Sequence, residues 1–434
     1  MNPKKIFFVC SVFLFLSSFF YAQEFENSDE QMNLTLEQCL NLARENNVTI
    51  KVQKNTLDDL KKKKNTSWNS VSPSISASGD FSDDFEKNTK SFSLGGGLKL
   101  SLSTNLYSSI KGASLNYENG VLTYDQAVKQ IEVNVWKSFY ELIYASEYYS
   151  FLKQNLETAK KTYEQNQEKF KNGKISELDV MSSRVNYEQK KPTVESSYID
   201  LVNAYQLFKQ TLGIPQNTKI NLEGSLDSYL NLKEIKLPKA EKPAPSVQDA
   251  QFAVDIAKND VLAQRFSAYG PSVTASYNYK KSQSDLSSSD WNTTNNLSVA
   301  VSIPLDGYLP WSTSSVSINS KKKDLNSKEL KLKDTETSVK VKTDNYIREI
   351  EQRISSIDVL KQNVDLAKKT FEMSQTAYNY GKTDLLSLVT LSDNVKDAEI
   401  SLKKEAKTLE ETILDLEYLL GIDLGTILNL SINE

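Results

Sequence analysis

Two hydrophobic periods alternate along the chain, and the whole succession occurs twice. From Leu34 to Thr66 the apolar positions Leu36, Leu40, Ala43, Val48 and Val52 predict a helix that opens at Thr35, with Glu37 and Gln38 in its first turn. The period then changes to two. Val71, Pro73, Ile75, Ala77, Gly79 and Phe81 are apolar or small, and Ser72, Ser74, Ser76 and Ser78 stand between them. After a polar loop the alternation resumes through Phe92, Leu94, Gly96, Leu98, Leu100 and Leu102. Strict alternation predicts strands with one apolar and one wet face. A helical pattern follows from about Ile110 to Asn172, with Val128, Ile131, Val135, Phe139 and Leu142 three and four apart. Its roughly 60 residues make a rod of about 90 Å. The return helix, Glu177 to Leu212, is predicted to kink or break at Pro192.

The pattern then repeats. A helix is predicted from Ser246 to about Phe266, and a strand over Pro271–Lys280 with Val273, Ala275, Tyr277 and Tyr279 on one face. A second strand carries Leu297, Val299, Val301, Ile303 and Leu305. A second rod runs from about Ser314 to Asn379, with Ile347, Ile350, Ile354, Ile357, Val364 and Phe371 along a seam, and a return helix from Asp384 to Leu420. Each helical hairpin turns at a Gly-Lys pair, Gly173-Lys174 and Gly381-Lys382. Glycine suits the left-handed position past a helix end, and Ser176 or Thr383 can cap the next helix. A second glycine follows each turn, and Gly173 to Gly381 and Gly213 to Gly421 span the same 208 residues. The chain therefore divides into a leader (1–22), a first repeat (23–212), a linker (213–245), a second repeat (246–421) and a tail (422–434).

The predicted strands cover roughly 9 to 12 residues, the length a tilted strand needs to cross a bilayer. Trp68 precedes the first, Tyr107 follows the second, Tyr269 precedes the third and Trp311 follows the fourth. An up-and-down arrangement sets these four aromatics at one end, like a membrane-interface belt. The plain alternative is two soluble hairpins, each packing its apolar face on a helix. The leader agrees with export: Lys4 and Lys5 are followed by the apolar run Ile6 to Phe20 and a cleavage-like Phe20-Tyr21-Ala22. That run is short for an uncleaved anchor, and no later stretch resembles a spanning helix. Open sheet edges are not tolerated in lipid, and about eight strands are the practical minimum for a barrel. Membrane strands therefore demand oligomerisation, and a trimer would supply twelve.

Composition removes other functions. The formal charge is only −4, which gives no sign of a nucleic-acid partner. The chain has no histidine, and its two cysteines are Cys10 in the leader and Cys39, so imidazole bases, internal disulfides after the leader and thiolate clusters are excluded. No phosphate loop, nucleophile elbow or metal-ligand cluster is present, so neither an enzyme nor a bound cofactor is expected. A periplasmic coiled-coil adaptor or binding protein is the competing reading, which the tandem duplication and lipid-length strands oppose. Lys61–Lys64 and Lys321–Lys323 offer either a lipid-headgroup contact or a solvated helix face.

From Leu34 to about Leu424 the chain resembles the TolC-type outer-membrane efflux proteins. The likeness rests on the stretch Leu36 to Asn47, the strand openings at Pro73 and Pro271, both Gly-Lys turns, and the pairs Leu212-Gly213 and Leu420-Gly421. It implies a mainly α homotrimer with a twelve-stranded β-barrel in the outer membrane and a long α-helical periplasmic tunnel. Such a protein is a passive exit duct for a tripartite efflux pump or a type I secretion system. It meets a periplasmic adaptor and an inner-membrane transporter, with outer-membrane lipid around its barrel. By the same resemblance Asp179 and Tyr378 match an acid and a tyrosine whose hydrogen bond holds the tunnel shut. Without it, Tyr378 reads as a seam residue and Asp179 as a first-turn acid favoured by the helix dipole. The family's aperture aspartates fall on Ser387 and Thr390, and a locking arginine falls on Thr383, so a charged gate is in doubt. Gly173, Lys174, Gly381 and Lys382 correspond to the adaptor-docking tips.

Overall fold

The computed structural model describes residues 32–85, 89–238, 242–283, 290–380, 382–383 and 385–432; the expected leader and Gly381 lie outside the described residues. The first repeat begins with β1 (Met32–Thr35), α1 (Leu36–Asn46) and α2 (Val48–Asn65), followed by the hairpin β2 (Ser74–Asp84) and β3 (Thr89–Ser103). The rod α3 (Asn105–Lys171) and the return helix α4 (Glu177–Leu212) complete it. The second repeat comprises α6 (Pro245–Tyr269), β5 (Ser272–Gln283), β6 (Asn292–Ser302), α7 (Thr313–Asn379) and α8 (Leu385–Leu420). Both rods have 67 residues, a length of roughly 100 Å.

Several predicted elements are refined by local chemistry. The single helix expected over Leu34–Thr66 is a strand and two helices, because Asn47 is extended (φ −60°, ψ 127°). Its Oδ1 accepts from the amides of Thr49 and Ile50 and caps α2, while its Nδ2 donates to the Thr211 carbonyl at 2.8 Å. Pro192 does not break α4, which is continuous through it. Val71 ends a 3-10 turn (Ser67–Val71) rather than starting a strand, and Ile303 and Leu305 lie past the end of β6. The stretch read as linker carries β4 (Ile220–Glu223), which pairs in parallel with β1, and α5 (Asp227–Leu230). The tail holds α9 (Thr426–Ile432).

The three levels of the molecule share one lateral order. The sheet runs β2-β3-β5-β6, antiparallel throughout, so the two hairpins join through β3 and β5. Next to it the helices neighbour one another as α2-α3-α6-α7, and toward the hairpin turns as α4-α3-α8-α7. The shorter helices stack end to end to match the rods. At Gly213 (φ 70°) a Cβ would fall 2.7 Å from the Asn46 carbonyl oxygen, and at Gly421 (φ 73°) 2.5 Å from the Pro245 ring. Both positions require glycine for backbone and for space.

Two apolar clusters lie where these helices stack. One gathers Leu34, Cys39, Ala43, Val135, Phe139, Leu142, Phe208 and Leu212. The other gathers Leu226, Tyr229 and Leu232 from the linker with Ile350, Ile354, Ile357, Leu409, Ile413, Leu416 and, from α9, Ile427. Tyr140 touches both, meeting Phe139 edge-on at 5.3 Å and Tyr229 at 6.0 Å. Each fully buried Phe or Leu contributes about 1.5–3 kcal/mol. The pairs Lys137–Asp415 (2.6 Å), Lys403–Glu147 (2.6 Å) and Lys407–Glu141 cross from α3 to α8, but they are partly exposed and add little beyond alignment.

Candidate membrane sheet and hairpin tips

Register gives the four strands two unlike faces. One cross-strand row is Ile75, Leu98, Tyr277 and Leu297; the next are Leu100, Ala275 and Val299, then Leu102, Val273 and Val301. The opposite face has Ser76, Gly97, Asn278 and Asn296 in one row and Ser74, Lys99, Ser276 and Ser298 in another. There the Ser276 and Ser298 hydroxyls share a hydrogen bond of 2.8 Å, and Ser74 Oγ donates to the Lys99 carbonyl at 3.1 Å. Among the described residues no helix covers the apolar rows: Ile75 is 81% exposed and Leu297 73%. A contiguous apolar face of this size marks contact with another protein or a membrane. Strands of 11, 15, 12 and 11 residues suit the thickness of a hydrocarbon layer when tilted. The described part of the sheet contradicts the soluble-hairpin alternative, in which helices would cover these rows.

The four aromatics lie where strands meet helices, all at the helical end of the sheet. Trp68 is in the 3-10 turn before β2, Tyr107 in the first turn of α3, Tyr269 last in α6 and Trp311 shortly before α7. Trp68, Tyr107 and Trp311 are exposed. Tyr269 is anchored: its hydroxyl donates to the Gly307 carbonyl at 3.0 Å and its ring meets Tyr308 at 5.0 Å.

At the far end both hairpins turn through the same backbone bond. The Lys174 amide donates to the Lys169 carbonyl at 2.8 Å, and the Lys382 amide to the Ala377 carbonyl at 2.9 Å. Gly173 adopts φ 68°, as a helix C-terminus of this type requires. The lysines of both turns are exposed. Past the first turn Ser176 and Asp179 form a reciprocal cap. The Ser176 hydroxyl bonds Asp179 Oδ2 at 2.7 Å, the Ser176 amide donates to the same oxygen at 3.1 Å, and the Asp179 amide donates to Ser176 Oγ at 3.3 Å. These bonds hold the Asp179 carboxyl below its ordinary value. At the matching positions, 208 residues on, the second turn has Asp384 for Ser176 and Ser387 for Asp179, so the two tips differ in sequence. Tyr378 is partly exposed in the last turn of α7, and Ser387 and Thr390 follow on α8.

Two features of these helices escaped the sequence reading. The flanking helices carry exposed apolar stripes at heptad spacing: Leu178, Val185, Pro192 and Ile199 on α4, and Val359, Leu366 and Met373 on α7, continued by Tyr380 just past its end. A search at period seven finds them. Glu410 and Glu417 are both buried within the α8 core face, and their signal is an acid set among Ala406, Leu409, Ile413 and Leu416. Among the described residues no group of three or more Cys, Asp or Glu could hold a metal ion, and no helix is long and apolar enough to cross a membrane.

The geometry is shared with solved outer-membrane channels. The Campylobacter jejuni CmeC outer membrane channel superposes with a TM-score of 0.72 at 17% identity, over 92% of this chain and 88% of that one. The Neisseria gonorrhoeae MtrE outer membrane channel, solved in its open state, gives 0.69 at 19% identity, covering 90% and 89%. The Vibrio cholerae outer membrane protein VceC gives 0.69 at 12% identity, covering 90% and 96%. No curated protein matches the sequence. The outer membrane efflux protein family matches over residues 39–206 and 237–421, most of the chain and both repeats. The chain belongs to the outer membrane efflux protein family.

Proposed function

We propose that three copies of this chain close their sheets into a twelve-stranded outer-membrane barrel, continued by a periplasmic helical tunnel. The assembly is the passive exit duct of a tripartite efflux pump or a type I secretion system. The observation that carries this reading is the two-faced sheet, apolar outside and polar inside, whose edge strands β2 and β6 need partners in lipid. Twelve strands leave a bore wide enough for water. The helical level supports the same closure. In the order α4-α3-α8-α7 the outermost helices bear the exposed heptad stripes, which fit α4 of one copy against α7 of the next.

Lipid surrounds the barrel, with Trp68, Tyr107, Tyr269 and Trp311 at its periplasmic rim, and Lys61–Lys64 and Lys321–Lys323 lie on the same side of the membrane. The hairpin turns at Gly173, Lys174, Gly381 and Lys382 meet a periplasmic adaptor, which links the duct to an inner-membrane transporter that supplies the energy. The gate lies just inside those turns. Asp179 Oδ2 serves the cap, so Oδ1 is the oxygen offered to the Tyr378 hydroxyl. Thr383, Ser387 and Thr390 give the aperture hydroxyls in place of arginine and carboxylates, so divalent cations have little to bind there. Conductance in planar bilayers tests this. The intact duct is expected to conduct weakly, Asp179→Ala or Tyr378→Phe to open it, and millimolar divalent cations to leave it unblocked. A wide conductance unchanged by either substitution would remove the gate.

A further inference from the structure

We infer that the waist of the molecule carries a proton-controlled clasp centred on Glu410: this acid lets the linker close on the rods while neutral and loosens it when ionised, and the buried Glu417 beside it ties down the tail. The two acids lie seven residues apart on α8, two turns along one face. Both are fully buried, with 0% of either residue exposed. They sit in the cluster through which Leu226, Tyr229 and Leu232 of the linker and Ile427 of the tail meet α7 and α8. Through Tyr140 that cluster also touches α3, so the clasp joins the hairpin of one repeat to the rod of the other.

The two carboxyls are held differently. Glu417 reaches the tail directly, Oε2 accepting from the Gly425 amide and Oε1 from the Ile427 amide, both at 2.7 Å. Lys129 of α3 fastens the same turn by donating to the carbonyls of Gly421 and Ile422 and to Asp423. Glu410 has no such anchorage: among the described residues neither of its oxygens has a hydrogen-bond partner. The groups acting on it are Lys137 and Tyr140 from α3, Tyr229 from α5, and Lys407, Glu411 and Asp415 from α8 itself. Both lysines are engaged elsewhere, Lys137 with Asp415 and Lys407 with Glu141 and Glu411. From α7, Arg353 is engaged by Glu349 of its own helix and Glu405 of α8, which leaves that group one negative charge in excess. A bare carboxylate at position 410 is a charge inside an apolar cluster, and the neutral acid is the form that fits.

Burial, and then the neighbouring Glu411, push Glu410 well above its ordinary value, and burial pushes Glu417 up to about 7. The sign follows from linkage. An acid raised in the closed state favours closure in full below its ordinary value of 4.5 and loses that contribution as pH rises to its own value. For Glu417 the loss spans pH 4.5 to about 7, with its two backbone bonds working against it because they favour the carboxylate; for Glu410 the loss has the same sign. A displacement of two pH units shifts an opening equilibrium by about a hundredfold. The clasp is therefore tight in mildly acidic surroundings and loose in alkaline ones.

The test is hydrogen exchange on the full-length protein in detergent at pH 5, 6.5 and 8, corrected for the intrinsic exchange rate. It compares the wild type with Glu410→Met, Glu417→Gln and the double variant. Native mass spectrometry of each variant first establishes that its assembly matches the wild type. Protection of 226–235 and 425–432 is expected to fall at least tenfold between pH 5 and pH 8 in the wild type, and to stay level in the double variant. If the double variant does not assemble, Glu410→Met alone is expected to make the fall smaller than in the wild type. Wild-type protection that does not change with pH would overturn the clasp, and so would an equal fall in the variants. Because the readout is local exchange rather than transport, the clasp can fail while the duct stands.

Discussion

Leu297 and Asn296 are adjacent on β6 and point to opposite faces of the sheet. Replacing each with arginine asks which face meets lipid. Leu297 lies at the middle of its strand, in a row with Tyr277, Leu98 and Ile75, and is 73% exposed. An arginine there, at the bilayer midplane, costs about 2–4 kcal/mol per copy, roughly thirty- to a thousandfold in the folding equilibrium. Asn296 lies in the row of Asn278, Gly97 and Ser76, on the face that already holds Lys99. An arginine there enters a wet bore and costs less than about 1 kcal/mol, as surface changes do. The assay is folding into lipid vesicles across a urea series, followed by electrophoretic mobility and tryptophan fluorescence. The reasoning is refuted if the two substitutions are equally damaging, or if Asn296→Arg is the worse.

Four further outcomes follow from the packing and the caps. Phe139→Ala removes one of the two fully buried rings of the first cluster, and an extracted sample should lose about 3–5 kcal/mol by denaturant unfolding. Gly213→Ala places a Cβ 2.7 Å from the Asn46 carbonyl oxygen at φ 70°; the expected loss is at least about 1–2 kcal/mol, seen as a lower melting temperature. Asn47→Ala deletes both the α2 cap and the bond to the Thr211 carbonyl, and should cost about 1–3 kcal/mol in the same melt, with Asn47→Asp restoring only the cap. The Ser176–Asp179 cap depends on an ionised carboxyl held below the ordinary 3.8, so its contribution is present above that value and disappears as pH falls beneath it. Amide exchange at Asp179 should rise on acidification and be pH-insensitive in Asp179→Asn.

Most of the architecture was legible because it repeats. The spacing of Val128, Ile131, Val135, Phe139 and Leu142 predicts one face of α3, and Val135, Phe139 and Leu142 are buried in the core. The alternation through Leu94, Leu98 and Leu102 is the apolar row of β3. The Gly-Lys turns were legible because glycine just past a helix has a single backbone reason. What stayed hidden is short or decided at long range. β1 and β4 have four residues each and exist because they pair with one another across most of a repeat. Asn47 reads as an ordinary helix residue until Thr211 is beside it. Pro192 signals a break by its missing amide, yet the helix continues through it on an exposed face. Glu410 and Glu417 look like solvated charges of a polar helix until the linker and tail fold over them. The tip residues were placed by resemblance, and the protomer adds the Ser176–Asp179 cap, which occupies one carboxylate oxygen of the proposed gate.

The closure of three sheets into one barrel is tested most directly by mass. Protein extracted from outer membranes in a mild detergent should register in native mass spectrometry as a single species of three chains. It should be absent from the periplasmic fraction. A monomer that remains soluble without detergent would contradict the account, since four strands with two open edges cannot stand alone in lipid.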